Sequence, residues 1–264
     1  MRSIRWSPSR PPLMPRADPD ADPRASILSL VVTAATVVAV RSPGFAAVLL
    51  GGLVAHEAAH RWVARRHGAR VGYPIFLPAP VFVGTLGALL PVRVWPRSPS
   101  ALVEVGASGP IAGAAVAAAV IAWRVGAAPV EGPGLPPPML WVLAGVLARG
   151  APVPLPAEDP YAHGAWALCL VTGMNLLPIG QLDGGHLASA VLGGRARAVG
   201  WGAAAAVAAL GFRWHWWWPW LLALGALGGW RRVPVSDDPL TLRSRLVAGG
   251  AGAVGLACFL PIPG

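Results

Sequence analysis

Long apolar runs, broken by short arginine-bearing or Pro/Gly-rich stretches, set the rhythm of this chain. The first, roughly Ser26 to Val40, predicts a membrane span. Ser42-Pro43-Gly44 predicts a tight turn, since proline presets one backbone angle and glycine permits the reversal. A second run, about Phe45 to His67, predicts a helix that stops at Gly68, with Arg61, Arg65, Arg66 and Arg70 crowding its end. Val71 to Pro80 holds three prolines and cannot be helical. Val81 to Val94 predicts one or two short strands. Such backbone is tolerated at membrane depth only when buried in protein or lining a wet cavity. A re-entrant loop, or an edge strand that pairs with an extended peptide, would satisfy that rule.

Span three, about Ala101 to Val125, opens with Glu104, placed at the interface or behind a site. Gly106 to Gly113 follows, a run whose small residues permit close helix contact. A Pro/Gly-rich loop and a short helix, Met139 to Ala148, come next. The loop Arg149 to Pro160 carries Glu158 and Asp159, both expected to be solvated. Span four, about Tyr161 to Leu177, ends at the helix-breaking Pro178. Ala198 to Phe212, a Trp-rich run from Trp214 to Trp230, and Leu246 to Leu260 complete the apolar segments. Trp214, Trp216, Trp217, Trp218 and Trp220 read as an interfacial aromatic belt. The pattern predicts an all-α polytopic membrane protein of about six transmembrane helices. A short membrane-associated β-strand or hairpin region falls between spans two and three.

Composition strengthens that reading. Of 264 residues, 55% are hydrophobic and 12% charged, about half the charged share of soluble domains. Residues 1–25 read as a disordered Pro/Arg-rich tail and 26–264 as one transmembrane domain. The net charge of +10 invites a nucleic-acid reading, and all 21 basic residues are arginine. They cluster between apolar runs, as cytoplasmic membrane flanks do, so the expected partner is the lipid bilayer and no nucleic acid. Cys169 and Cys258 have no metal spacing and make no disulfide framework.

The chemistry sits near the end of span two. His56-Glu57-Ala58-Ala59-His60 is HExxH. On a helix, a spacing of four puts both imidazoles on one face, a turn apart, where they can grip one zinc ion. Glu57 is then placed to polarise a zinc-bound water. Three fixed residues arise by chance in a chain this long at roughly 3%. The flanking Gly51 to Ala55 and the intervening alanines leave no solvated face to explain the triplet otherwise. Ionisable groups at membrane depth are costly and usually functional. A two-histidine zinc site needs a third protein ligand and an open position for water. Asp183, on the segment Leu182-Asp183-Gly184-Gly185 that Pro178 and the glycines are expected to keep unwound, is the best candidate. The plain alternative is an Asp-Gly turn at the membrane surface; the presence of HExxH favours the ligand.

Together these pieces resemble the site-2 protease family of intramembrane zinc metalloproteases. The matching pieces are His56 to His60, Gly84 to Arg93, Ala107-Ser108-Gly109-Pro110-Ile111-Ala112-Gly113, and Asn175 to Gly185. The last is similar to the family's Asn-x-x-Pro-x-x-x-Leu-Asp-Gly segment. The resemblance implies zinc ligands at His56, His60 and Asp183, a general base at Glu57, and an Asn175 that orients substrate or stabilises the oxyanion. It implies Zn2+ as cofactor, hydrolysis within or near the transmembrane segments of other membrane proteins, and a multi-pass protein with its site towards the cytoplasm; the Ala-, Gly-, Pro- and Arg-rich composition, that of a GC-rich genome, adds the expectation of a prokaryotic cell membrane. Many members have Gly where Ala59 stands; a small residue remains. A zinc peptidase of another family, a catalytically dead scaffold and a zinc transporter are the alternatives. His67, His163 and His215 are too isolated for a transport pathway and read as surface or interfacial histidines, and His186 stands beside the site at most.

Overall fold

A computed structural model describes residues 23–80, 83–96, 98–127, 138–149, 159–213, 217–226, 236 and 238–259. It is mostly helical, with helices α1 (Pro23–Val40), α2 (Pro43–Arg66), α3 (Pro99–Ala127), α4 (Met139–Arg149), α5 (Pro160–Asn175), α6 (Asp183–Leu192), α7 (Ala196–Arg213), α8 (Trp217–Ala226) and α9 (Leu242–Phe259). Four short strands lie between α2 and α3: β1 (Arg70–Val71), β2 (Ile75–Pro78), β3 (Thr85–Leu89) and β4 (Val92–Val94). The tail predicted over residues 1–25 falls almost wholly outside the described residues, as do Glu158, Trp214, Trp216, His215 and the loop before α4.

Local chemistry explains the boundaries of α2. Ser42 accepts a hydrogen bond from the Phe45 amide at 3.3 Å, and Pro43 opens the helix where its missing N–H costs nothing. At the other end, Gly68 takes φ +72°, and the chain turns into β1.

α2, α3 and α5 form the centre, with α9 against α3 and α5. Small side chains let helix backbones approach closely. The buried core accordingly mixes alanines (Ala46, Ala114, Ala117, Ala165, Ala167) with Leu49, Leu53, Ile121, Trp141 and Leu168. Cys169 and Cys258 belong to this same core. Outward, the surface is apolar: Ile27, Leu28 and Val31 of α1 are each more than half exposed, as are Trp201, Phe212 and Leu222. Soluble proteins rarely show such a surface. Among the described residues, α1 and α3 are long and apolar enough to cross a membrane. α2 has the length, but its histidines, glutamate and arginines dilute its hydropathy.

The helices alternate in direction. At one end, Gly44 in the first turn of α2 meets the Tyr161 ring of α5, and Arg124 of α3 pairs with Asp159. At the other, Glu104 of α3 lies 3.0 Å from the His67 ring that closes α2 and 3.5 Å from Arg243 of α9. Asp159 corrects the expectation of a solvated loop carboxylate. It is buried, accepts from the Tyr161 and Ala162 amides at 2.9 and 3.1 Å, and so caps α5 as well as pairing with Arg124. A carboxylate at a helix N-terminus both fills orphan N–H groups and meets the positive end of the dipole.

The strand region is more ordered than the sequence suggested. β1 pairs antiparallel with β4 (Arg70 with Val94, Val71 with Val92). β2 pairs antiparallel with β3 (Ile75 with Leu89, Phe76 with Ala88, Pro78 with Thr85). The two pairs are nested, one hairpin outside another. Pro78 is accommodated at the end of β2, where the Thr85 hydroxyl bonds the neighbouring Leu77 carbonyl at 2.8 Å. Among the described residues β3 has a strand on one side only.

Candidate metal centre and its cavity

His56 and His60 lie on the buried face of α2, a turn apart, with Glu57 buried beside them. Asp183 arrives from a point 127 residues later in the chain than His56. α5 ends at Asn175, and Pro178 keeps the following backbone out of helical form. Asp183 is then the first residue of α6, which corrects the expectation of an unwound segment. The two glycines after it do not hold the backbone open. A Cβ on Gly184 would strike the Leu176 carbonyl and one on Gly185 the Gly180 carbonyl. They let the start of α6 press against the 176–180 turn, and so bring Asp183 to the histidines.

The three donors converge. His56 Nε2 stands 3.2 Å from Asp183 Oδ2, His60 Nε2 is 3.1 Å from Asp183 Oδ1, and the two Nε2 atoms are 3.0 Å apart. Donors ~2.1 Å from a tetrahedral zinc ion would be separated by about 3.4 Å. Among the described residues this is the group of His, Cys, Asp and Glu side chains close enough to share a metal ion.

The protonation pattern fits a cation as well. The Val105 carbonyl can only accept, and His60 Nδ1 lies 2.7 Å from it, so Nδ1 carries the proton. The lone pair of neutral His60 is then on Nε2, aimed at the Asp183 carboxylate and at a second imidazole nitrogen. Lone pairs facing a carboxylate repel unless a cation or a proton lies between them. The same Val105 carbonyl also accepts from the Ser108 hydroxyl at 2.7 Å, which anchors it. This arrangement is the ring-orienting support that metal-bound histidines need.

α3 forms the back wall. Gly109 presents bare backbone to the imidazole pair; a Cβ there would meet His60 Nε2, with His60 Cδ2 at 2.5 Å and His56 Cδ2 at 2.7 Å. The small residues read from sequence as a helix-contact run thus do a narrower job here, seating the two rings. In front, a cavity of about 180 Å³ is lined by His56, Glu57, His60, Asp183, Asn175 and His186 among others. A second cavity of about 80 Å³ lies along β3 from Thr85 to Ala88 and reaches Asn175 and Trp220. Ala88 and Asn175 border both, so the strand edge leads to the donor cluster.

All five residues singled out from sequence are therefore in one place. Others were missed. Trp220, assigned to an interfacial belt, faces the cavity beside Asn175, and Leu224, one turn on, lines the metal-site cavity. Trp95 packs at a tilt against His186, ring centroids 4.4 Å apart. An i, i+4 spacing in α8 was the available signal for Trp220 and Leu224, hidden because that stretch is apolar on every side. His67, expected at the surface, is partly exposed and paired with Glu104, and His163 lies in α5, away from the cluster.

Comparison with known proteins agrees with this chemistry. The chain is 29% identical over 151 residues to "Probable zinc metalloprotease EGY2, chloroplastic" of Oryza sativa subsp. japonica, covering 52% of this chain and 27% of that protein. The Arabidopsis thaliana protein of the same name matches at the same identity, over 52% of this chain and 26% of its own length. The chain is similar to zinc metalloproteases. It spans about a quarter of the length of the curated relatives it matches. No protein-family model and no solved structure matches it.

Proposed function

We propose that this protein is an intramembrane zinc metalloprotease of the site-2 protease type, hydrolysing peptide bonds within or near transmembrane segments of membrane-protein substrates. The observation that carries the reading is the cluster of His56, His60 and Asp183, built from two distant segments and buried in an apolar bundle with Glu57 beside it. Such a group is costly to bury, and a merely structural role would not need an acid adjacent to it.

His56, His60 and Asp183 would hold Zn2+ beside the cavity. The chemistry zinc would supply when bound is activation of a water and polarisation of the scissile carbonyl. Glu57 takes the proton from the water and delivers it to the leaving amine. The Asn175 side-chain amide donates a hydrogen bond to the carbonyl oxygen as negative charge grows there. A helical substrate hides its carbonyls in i to i+4 bonds, so it must open locally. The free edge of β3 offers replacement hydrogen bonds to an extended segment and delivers it past Asn175 to the donors.

Orientation follows from the arginines. Arg65, Arg66, Arg70 and Arg243 lie at the end of the bundle nearer the metal site, Arg41 and Arg124 at the other. The positive-inside rule puts the site end in the cytoplasm of a multi-pass protein of a prokaryotic cell membrane.

The test is the position of the cut. Wild-type protein reconstituted in liposomes with a single-span substrate is expected to yield fragments whose new termini, by mass spectrometry, map inside or at the edge of the span. Cuts confined to soluble loops would move the assignment to a membrane zinc peptidase of another kind.

A further inference from the structure

We propose that Thr172 is a positioning residue for His56: its hydroxyl, without a partner among the described residues, is the acceptor that His56 Nδ1–H takes up when Nε2 holds the metal, fixing the ring with Nε2 towards Asp183. This inference rests on the metal-site reading above and adds a residue to it.

Three observations lead here. The first is an asymmetry between the two histidines. His60 is oriented by the Val105 carbonyl on its Nδ1. A metal-bound His56 needs the same support, because coordination through Nε2 leaves the ring proton on Nδ1 and that proton needs an acceptor.

The second is a misplaced hydroxyl. Helical threonines usually return their hydroxyl to the carbonyl four residues back. Thr33 does so to Ser29 at 2.7 Å, and Thr36 to Val32 at 2.9 Å. Thr172, in the middle of α5, does not. Its side chain is 1% exposed and its Oγ1 has no hydrogen-bond partner among the described residues. A buried hydroxyl that forgoes the bond its own helix offers is directed elsewhere.

The third fixes where. A Cβ on Gly113 of α3 would stand 3.0 Å from Thr172 Oγ1 and 3.4 Å from His56 Nδ1. Both polar atoms therefore flank the same bare stretch of helix, from α5 and α2. Gly113 keeps that space open, as Gly109 does one turn earlier for the faces of the rings.

The experiment compares zinc affinity, by competition with a chromophoric chelator, for detergent-purified wild type, Thr172→Val and Thr172→Ser. Valine keeps the volume and removes the acceptor; serine keeps the acceptor. Thr172→Val is expected to bind zinc about 10- to 100-fold more weakly, the usual consequence of removing a partner of a ligating histidine. Thr172→Ser is expected to stay within a few-fold of wild type, a rescue that loss of packing alone would not give. Thr172→Ala replaces the valine variant should that one fail to fold. Wild-type affinity in Thr172→Val, or equal weakening in both variants, would overturn the inference while leaving the zinc site standing. A folded wild type that binds no zinc would overturn the site reading and this inference with it.

Discussion

Glu57→Gln should bind zinc like the wild type and lose peptide hydrolysis. Glu57 sits between the two histidines in sequence, is buried with them and lines the cavity in front of Asp183. It is not one of the three converging donors, so its replacement removes no ligand. Glutamine matches its size and polarity, which matters in a closely packed interior, but it cannot take up a proton. General-base assistance contributes about 10² to 10⁴ in rate. Turnover of a membrane-embedded substrate should therefore fall at least about a hundredfold, to the background of most gel assays, with metal content unchanged. Cleavage at the wild-type rate would remove Glu57 from the chemistry. Loss of zinc together with activity would show that it holds the metal.

Gly109→Ala should abolish zinc binding without touching a ligand. The added methyl would overlap His60 Nε2 and lie 2.7 Å from His56 Cδ2. Real Cβ atoms do not approach so closely, so either α3 moves away from α2 or the rings turn. Turning His60 breaks its 2.7 Å bond to the Val105 carbonyl and swings Nε2 off Asp183. A metal site tolerates only a few tenths of an ångström in its distances. The expected outcome is a fall in affinity of at least about a hundredfold, beyond the usual cost of a lost supporting hydrogen bond. Gly51→Ala, on α2, is the control, since a Cβ there meets nothing within 4 Å. Gly51→Ala with native zinc beside a zinc-free Gly109→Ala would tie the metal to the α2–α3 approach. Full zinc in Gly109→Ala would mean that the two helices do not meet as described.

How much of this was legible beforehand depends on how local each feature is. The histidine pair was legible because a spacing of four has one meaning on a helix. Asp183 was legible as chemistry, a carboxylate beyond a helix-breaking proline, but not as geometry. What brings it to α2 is the tight seating of Gly184 and Gly185 on the 176–180 turn, a contact that no periodicity encodes. The nested strand pairs were half visible: prolines ruled out helix, yet pairing of Arg70 with Val94 joins residues too far apart for a local pattern to reveal. Asp159 was misread because a loop carboxylate looks solvated until its partner Arg124, 35 residues earlier, is placed beside it. Trp220 was misread because in a run that is apolar all round, hydropathy cannot distinguish the face towards lipid from the face towards a cavity. The partner observed for His60, a backbone carbonyl, and the one proposed for His56, a threonine hydroxyl, carry no sequence signature at all.

The most direct test of the central claim, that two segments far apart in the chain build one metal centre, is the zinc content of detergent-purified protein, wild type beside Asp183→Ala. About one zinc per chain is expected in the wild type, as a site of two histidines and one carboxylate requires. The mutant is expected to hold none. A folded wild type without zinc would contradict the claim outright, and zinc retained in Asp183→Ala would show that the third ligand lies elsewhere.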